Sequence, residues 1–324
     1  MQNTDNAKDV IVGVVGLGLM GSSIIASFLI AGHQVIAVAP LPQDLPEAYQ
    51  RIYKQLVHGD HSGLLSKPID SYISQVIISD DYSLLQNCGL VMECVIENIE
   101  IKESVFNKIA CAVSKDAIIA SNTSAIPIST LQKLVPNPKR FLGIHWAEPA
   151  YMTRFLEVTC GEDTDIAYAE WVVELAGLWG KEPTLLKKDI RGFITNRLMY
   201  AVYREGLALV ENGDVTMEDA DKAFRYDAGS WMTLMGIFRR MDFLGLQDSL
   251  VAWNAIYPKL SNSETVPGVM QEMVDKQARG IHNQKGLYPY TAEEAEQWEK
   301  AYTQFNEDIF KLAAQYPSPV TEVK

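Results

Sequence analysis

The chain has no apolar run approaching the roughly 20 residues that a membrane helix needs, and its opening, MQNTDNAKDV, has no hydrophobic signal core. Neither a membrane span nor a secretory leader is expected, and the expected location is cytoplasmic. Cysteine is scarce: Cys88, Cys94, Cys111 and Cys160 are scattered without a C-x-x-C pair. That spacing argues against a disulfide scaffold or a zinc site. The expectation is buried free thiols in a reducing compartment, and no metal. Positive charge is also short. The 28 Lys+Arg against 41 Asp+Glu leave a net charge of −13, the wrong sign for a general polyanion binder, so nucleic acid is not an expected partner. No internal repeat or low-complexity tract interrupts the chain. What is present is bulk: 324 residues, 48% of them hydrophobic, enough for sizeable cores and about two domains.

Texture divides the chain. From about residue 10 to 188, short β-branched runs alternate with helical stretches. The runs are Val10–Val15, Gln34–Val38, Gln75–Ile78, Leu90–Val95, Ala117–Ala120, Arg140–Ile144, Phe155–Thr159 and Thr184–Leu186. Several are apolar throughout, as strands covered on both faces must be, and the alternation predicts an α/β fold with a parallel, doubly wound sheet. After Arg191, residues 193–211, 216–227, 230–244 and 291–314 have helical periodicity. The expected organisation is a Rossmann-type domain over 1–190 and an all-helical domain over 191–324. Residues 46–75 look like an inserted helix pair, broken at His58–Gly63. The tail Tyr316–Lys324, with two prolines, is expected to fray.

The first chemical signal is Val12-Gly-Val-Val-Gly16-Leu-Gly18-Leu19-Met20-Gly21. It is a G-x-G-x-x-G turn between an apolar strand and an apolar-periodic helix. Gly16 permits the tight turn, Gly18 lets the backbone approach a pyrophosphate, and Gly21 lets helix and strand pack closely, with free helix N–H groups facing the anion. Gly16, Gly18, Leu19, Met20 and Gly21 are the expected cofactor turn. The alternative is a tight turn that binds nothing. The acid expected to end the second strand and hold the adenosine ribose is missing: Val35-Ile-Ala-Val38 runs into Ala39-Pro40, and the nearest acid is Asp44. No Arg or Lys lies between Gly16 and Arg51 to meet a 2′-phosphate either. NAD is therefore favoured, with NADP open.

Of five histidines, His145 ends an apolar strand, where open α/β sheets place their ligands. Glu157 lies on the next strand-like run. A carboxylate bonded to an imidazole fixes its tautomer and stabilises its protonated form, which suits a residue taking a proton from a substrate hydroxyl. The same pair also reads as a satisfied structural contact. Ser121-Asn-Thr-Ser124 reads first as a helix cap and second as a contact to a substrate oxygen. Asn196, in Gly192-Phe-Ile-Thr-Asn196-Arg-Leu, must satisfy its amide locally or on a ligand.

Taken together and in order, VGVVGLGLMGSSI, ECVIENIEIKESVF, ASNTSAIPIS, FLGIHWAEPAYMTRFLEV and GFITNRL resemble the 3-hydroxyacyl-CoA dehydrogenase family over nearly the whole chain. The resemblance implies that His145 is the acid/base, Glu157 its orienting carboxylate, and Ser124 and Asn196 the groups that bond the reacting oxygen. It implies that Glu97, Lys102, Ser124 and Glu148 stand near the nicotinamide half of NAD. It also implies a homodimer formed through the helical domain and an active site between the domains. Four departures bear on the substrate. Ala39 replaces the ribose-binding acid, Glu148 stands where the family's H-F-x-N-P motif has Asn, and Arg191 replaces a proline. The fourth is the 46–75 insert, whose only Arg or Lys residues are Arg51, Lys54 and Lys67, little for a coenzyme A diphosphate to meet. The substrate is thus either a CoA thioester or a small free hydroxy compound. Trp231, Met232 and Met235 are read as core or as walls of a compact substrate pocket, and the final helix's Trp298, Tyr302, Phe305 and Phe310 as core or dimer packing. Two other readings stand. A lysine-dependent β-hydroxyacid dehydrogenase shares the GLGxMG opening, but GFITNRL lacks the lysine. A silent dinucleotide-binding sensor is opposed by retention of the proton-transfer pair.

Overall fold

The computed structural model describes residues 9–316; most of the polar opening and of the Tyr316–Lys324 tail lies outside the described residues. The chain divides into two compact units, Met1–Thr195 and Asn196–Lys324.

The first unit is built on an eight-stranded sheet of order β3-β2-β1-β4-β5-β6-β7-β8. The strands are β1 (Val12–Val15), β2 (Val35–Val38), β3 (Val76–Ser79), β4 (Leu90–Glu93), β5 (Ile118–Ser121), β6 (Phe141–Trp146), β7 (Phe155–Cys160) and β8 (Glu182–Leu186). Every residue of β1, β2, β4 and β5 is buried, which explains why these runs do not alternate. Successive side chains take opposite faces. Val14, Met92, Leu142 and Ile144 join α1 (Leu19–Ala31), α2 (Leu45–His61) and α6 (Ile166–Leu178) in one core. Val15, Val91 and Phe141 join α4 (Ile99–Ala112) and α5 (Ile128–Gln132) in the other. Helix α1 is buried from Gly21 to Leu29, so it carries no polar stripe, as a helix sealed between layers need not.

Four expectations are corrected. The sheet is not wholly parallel: β7 runs antiparallel to β6. Only residues 147–154 separate them, too few for a crossover helix. The break of the insert begins only at the end of the expected His58–Gly63 stretch, where the chain turns at Ser62–Gly63. Helix α2 runs through His58 to His61, and the break precedes α3 (Ile69–Ile73). Ser121–Ser124 caps no helix; α5 follows Pro127 instead. Not all the thiols are buried, since Cys111 is exposed on α4.

The second unit is helical: α7 (Thr195–Glu211, whose first residue lies in the first unit), α8 (Met217–Ala223), α9 (Gly229–Met232), α10 (Ile237–Leu244), α11 (Leu246–Ile256), α12 (Gly268–Asp275) and α13 (Ala292–Gln315). The expected 216–227 helix passes into a π-turn at Phe224–Ala228, and the expected 230–244 helix is interrupted before Gly236. Helices α11 and α12 were not expected. Thr291 and Glu294 form a capping box that starts α13. Among its described residues only Ser249 and Ala295 are buried. The core readings of Trp231 and of the α13 stripe are therefore not met: Trp298, Tyr302 and Phe305 are exposed.

Candidate active site

The glycine turn follows from backbone geometry. Gly16 has φ +104°, and a Cβ there would sit 2.7 Å from the Cys94 backbone. A Cβ on Gly21 would stand 1.8 Å from the Gly16 carbonyl oxygen. Gly18, by contrast, has open space on its Cβ side and starts α1 without a side-chain cap. That is the cradle a pyrophosphate would fill, with N–H groups and the helix dipole behind it. Leu19 is exposed at this mouth and Met20 is half-buried against the core. The turn is stitched to the second strand by the Gly16 N–H, which donates to the Val38 carbonyl at 3.0 Å. These residues fit a dinucleotide.

His145 and Glu157 are direct partners across the antiparallel β6/β7 pair. A slip of one residue would send them to opposite faces. His145 Nδ1 lies 2.9 Å from Glu157 Oε2. The other carboxylate oxygen, Oε1, accepts the backbone N–H groups of Ile194 and Thr195 at 3.0 and 3.1 Å. Burial pushes the Glu157 carboxyl up, but these bonds and His145 outweigh it and hold the group below the usual range. With Glu157 ionised, Nδ1–H is the donor and Nε2 is left as the proton-accepting nitrogen. The His145 side chain is 17% exposed. Phe155 meets its ring edge-on at 5.4 Å, and Phe193 lies against it at 5.8 Å. Phe193 is buried with a positive φ of 49°, next to Gly192 at 83°, so a left-handed turn carries an aromatic wall to the imidazole.

A second acidic cluster ends β4 and β5. Lys102 is 1% exposed, and its Nζ reaches Glu93 at 2.8 and 2.9 Å and Glu97 at 3.3 Å. Ser121 donates to Glu93 at 2.6 Å. Glu97 accepts from the Thr123 hydroxyl at 2.7 Å and from the Ser124 N–H at 2.9 Å. Burial works to raise the Glu97 carboxyl; Thr123, Lys102 and Ser124 prevail and lower it. Ser124 is thus fixed through its backbone, and Lys102 stands behind Glu97. Asn122 accepts the N–H of Trp146 at 3.0 Å, tying this loop to the residue after His145.

Glu148 follows on the 147–154 connection and precedes a cis proline. Burial pushes its carboxyl up to about 6, against a hydrogen bond to Ser23 of α1. Its Oε2 is buried without a hydrogen-bond partner. Asn196 stands on the first turn of α7, one residue beyond Thr195. Two other histidines of the first unit have settled contacts. His33 bonds the Val10 carbonyl and accepts from the Trp179 indole, while His58 pairs with the Tyr151 hydroxyl.

Glu93, Phe155 and Phe193 were not expected as part of the site. An acid closing an apolar strand was the available signal for Glu93; nothing in the sequence alone points to the aromatics' placement.

Residues 11–190 match the family model for the NAD-binding domain of 3-hydroxyacyl-CoA dehydrogenase, and 192–290 the model for its C-terminal domain. A similar protein is the 5-formyl-3-hydroxy-2-methylpyridine 4-carboxylate 5-dehydrogenase of Mesorhizobium japonicum. It is 31% identical over 284 residues, with 87% of this chain and 91% of that protein covered. A probable 3-hydroxybutyryl-CoA dehydrogenase of Deinococcus radiodurans is 28% identical, with 86% and 99% covered. Among solved structures, a 5-formyl-3-hydroxy-2-methylpyridine 4-carboxylic acid 5-dehydrogenase, described as an NAD+-dependent dismutase, superposes with a TM-score of 0.87 at 28% identity, covering 95% of this chain and 100% of that one. The (S)-3-hydroxybutyryl-CoA dehydrogenase of Ralstonia eutropha gives 0.72 at 25% identity, covering 87% and 99%.

Proposed function

The chain belongs to the 3-hydroxyacyl-CoA dehydrogenase family of NAD-dependent oxidoreductases, and from that premise we propose how its own residues carry out the oxidation of a secondary alcohol. NAD, when bound, supplies the hydride acceptor. His145 Nε2 takes the hydroxyl proton during oxidation and returns it during reduction. Glu157 acts through His145: it fixes the tautomer and stabilises the imidazolium as it forms. Ser124 and Asn196 hydrogen-bond the reacting oxygen as its charge changes. Gly16, Gly18, Leu19, Met20 and Gly21 hold the pyrophosphate. Glu97 and Glu148 border the nicotinamide, and Lys102 positions Glu97 rather than touching the cofactor. Residues 1–190 form the dinucleotide domain and 191–324 the substrate and dimerisation domain.

The carrying observation is the 2.9 Å His145–Glu157 bond with both carboxylate oxygens engaged. A binding-only sensor has no need of it. For the substrate we favour a compact, free hydroxy compound over a CoA thioester. The 46–75 insert has only Arg51, Lys54 and Lys67 as Arg or Lys, little for a coenzyme A diphosphate to meet, and the likeness to the pyridine-carboxylate dehydrogenase is high. Among the described residues no helix is long and apolar enough to cross a membrane, and we place the enzyme in the cytoplasm as a homodimer. The exposed apolar side chains of the second unit support the dimer.

The test is His145→Ala. Turnover is expected to fall by roughly 10²–10⁴-fold, with NADH binding by fluorescence titration changed little. Unchanged turnover defeats the mechanism.

A further inference from the structure

We propose that Arg51 completes the adenosine end of the dinucleotide site and lets it take the 2′-phosphorylated cofactor, NADP(H), beside NAD(H). The proposal rests on the NAD-binding reading above and adds a residue to it.

Three observations converge. First, β2 ends at Val38 and the next residue, Ala39, is fully buried. The position that normally carries a carboxylate for the ribose hydroxyls has none, so that position itself brings no charge to repel a 2′-phosphate. Second, the Arg51 guanidinium reaches the glycine turn from far along the chain. Its Nη1 donates to the Leu17 carbonyl at 3.2 Å. Leu17 lies between Gly16 and Gly18, and Gly16 is bonded to Val38. Arg51 is thus bonded to the residue next to Gly16, which is itself bonded to the end of β2. The cause is helical periodicity: Ala48, Ile52 and Leu56 are the buried face of α2, which packs on α1 and swings the neighbouring Arg51 over the turn. Third, the guanidinium is available. Its Nη2 pairs with Glu47 one helical turn away, but the two side chains are 36% and 71% exposed. Exposed i,i+4 pairs are weak. A phosphate monoester near −2 charge, with three acceptor oxygens, offers a planar guanidinium a stronger, bidentate partner. Asp44 and Glu47 are close to Arg51 in sequence, with Lys54 one turn beyond it, and Asp80 and Asp81 follow Ser79, whose carbonyl accepts the Ala39 N–H at 2.8 Å; Glu47 is the one paired with Arg51.

The experiment is titration of NADH and NADPH into the full-length chain, read by nucleotide fluorescence and calorimetry. It uses the unaltered chain and the variants Arg51→Gln, Glu47→Gln and Ala39→Asp. In the unaltered chain the two affinities are expected to lie within about tenfold of each other. Arg51→Gln should weaken NADPH by about tenfold or more while NADH moves less than about threefold. Glu47→Gln should tighten NADPH. Ala39→Asp should tighten NADH and weaken NADPH, and added salt should weaken NADPH more than NADH. The proposal is overturned if NADPH does not bind where NADH does, or if Arg51→Gln weakens both alike, which would make Arg51 a brace for the turn. Failure of NADH itself to bind would instead overturn the dinucleotide reading beneath it.

Discussion

The two units of this chain bury their side chains to very different degrees. In the first, both faces of the sheet are sealed, and even Glu93, Lys102 and Glu157 are enclosed among bonding partners. In the second, only Ser249 and Ala295 are buried among the described residues, while Phe238 is 74% exposed and Trp298, Tyr302 and Phe305 lie open. Proton transfer and cofactor binding need atoms held to fractions of an ångström, and the first unit supplies that rigidity. Exposed apolar faces of this extent are characteristic of surfaces that function covered. On the function proposed above, chemistry falls to the first unit and assembly to the second.

Glycine substitutions break the comparison most sharply. Gly21→Val puts a Cβ 1.8 Å from the Gly16 carbonyl, a clash with backbone that no side-chain movement relieves. We expect a loss of more than about 4 kcal/mol of stability or no folded protein at all, measured by chemical denaturation. Gly206, on α7, has nothing within 4 Å of its Cβ position. Gly206→Ala should instead stabilise by about 0.5–1 kcal/mol through helix propensity. If both variants behaved alike, the difference in packing between the units would be wrong.

A charge on the apolar face comes next in size. Phe238→Asp and Phe305→Asp should convert a dimer to a monomer in sedimentation velocity and lower Tm. On a face that nothing covers, each should shift stability by less than about 0.5 kcal/mol and leave the mass unchanged. The second result would detach the helical unit from assembly.

Legibility in the sequence followed the same division. The strands of the first unit are visible because burial on both faces leaves unbroken apolar runs, and the glycine turn because backbone approach tolerates no substitute. His145 and Glu157 are visible as residue types at strand ends. Their direct pairing is not, because it depends on β7 running antiparallel, which only the short 147–154 connection signals. Arg51 was noted only as the first cation after the turn; its arrival at Leu17 depends on how α2 lies across α1. In the second unit α11 and α12, 11 and 8 residues long, do not show in the sequence and α10 reads as continuous with α9, because so few turns give little length over which a helical period can be read.

The smallest effect sharpens the comparison through pH. Burial raises the Glu148 carboxyl to about 6, above its ordinary 4.5. A carboxyl whose folded pKa is raised binds its proton more tightly in the folded than in the unfolded chain. Its contribution is therefore fully present below about pH 4.5 and is lost as pH rises through 6. At pH 7.5 the ionised group is a cost, and the lone buried oxygen Oε2 has no donor to offset it. Glu148→Gln keeps the shape and removes the titration. It should therefore gain about 1–2 kcal/mol over the unaltered chain at pH 7.5 and lose that advantage near pH 4.5. Denaturant melts across that pH range check both. A pH-independent gap for Glu148→Gln would mean that the carboxylate finds a donor on folding, which would make its buried position a satisfied one rather than a cost.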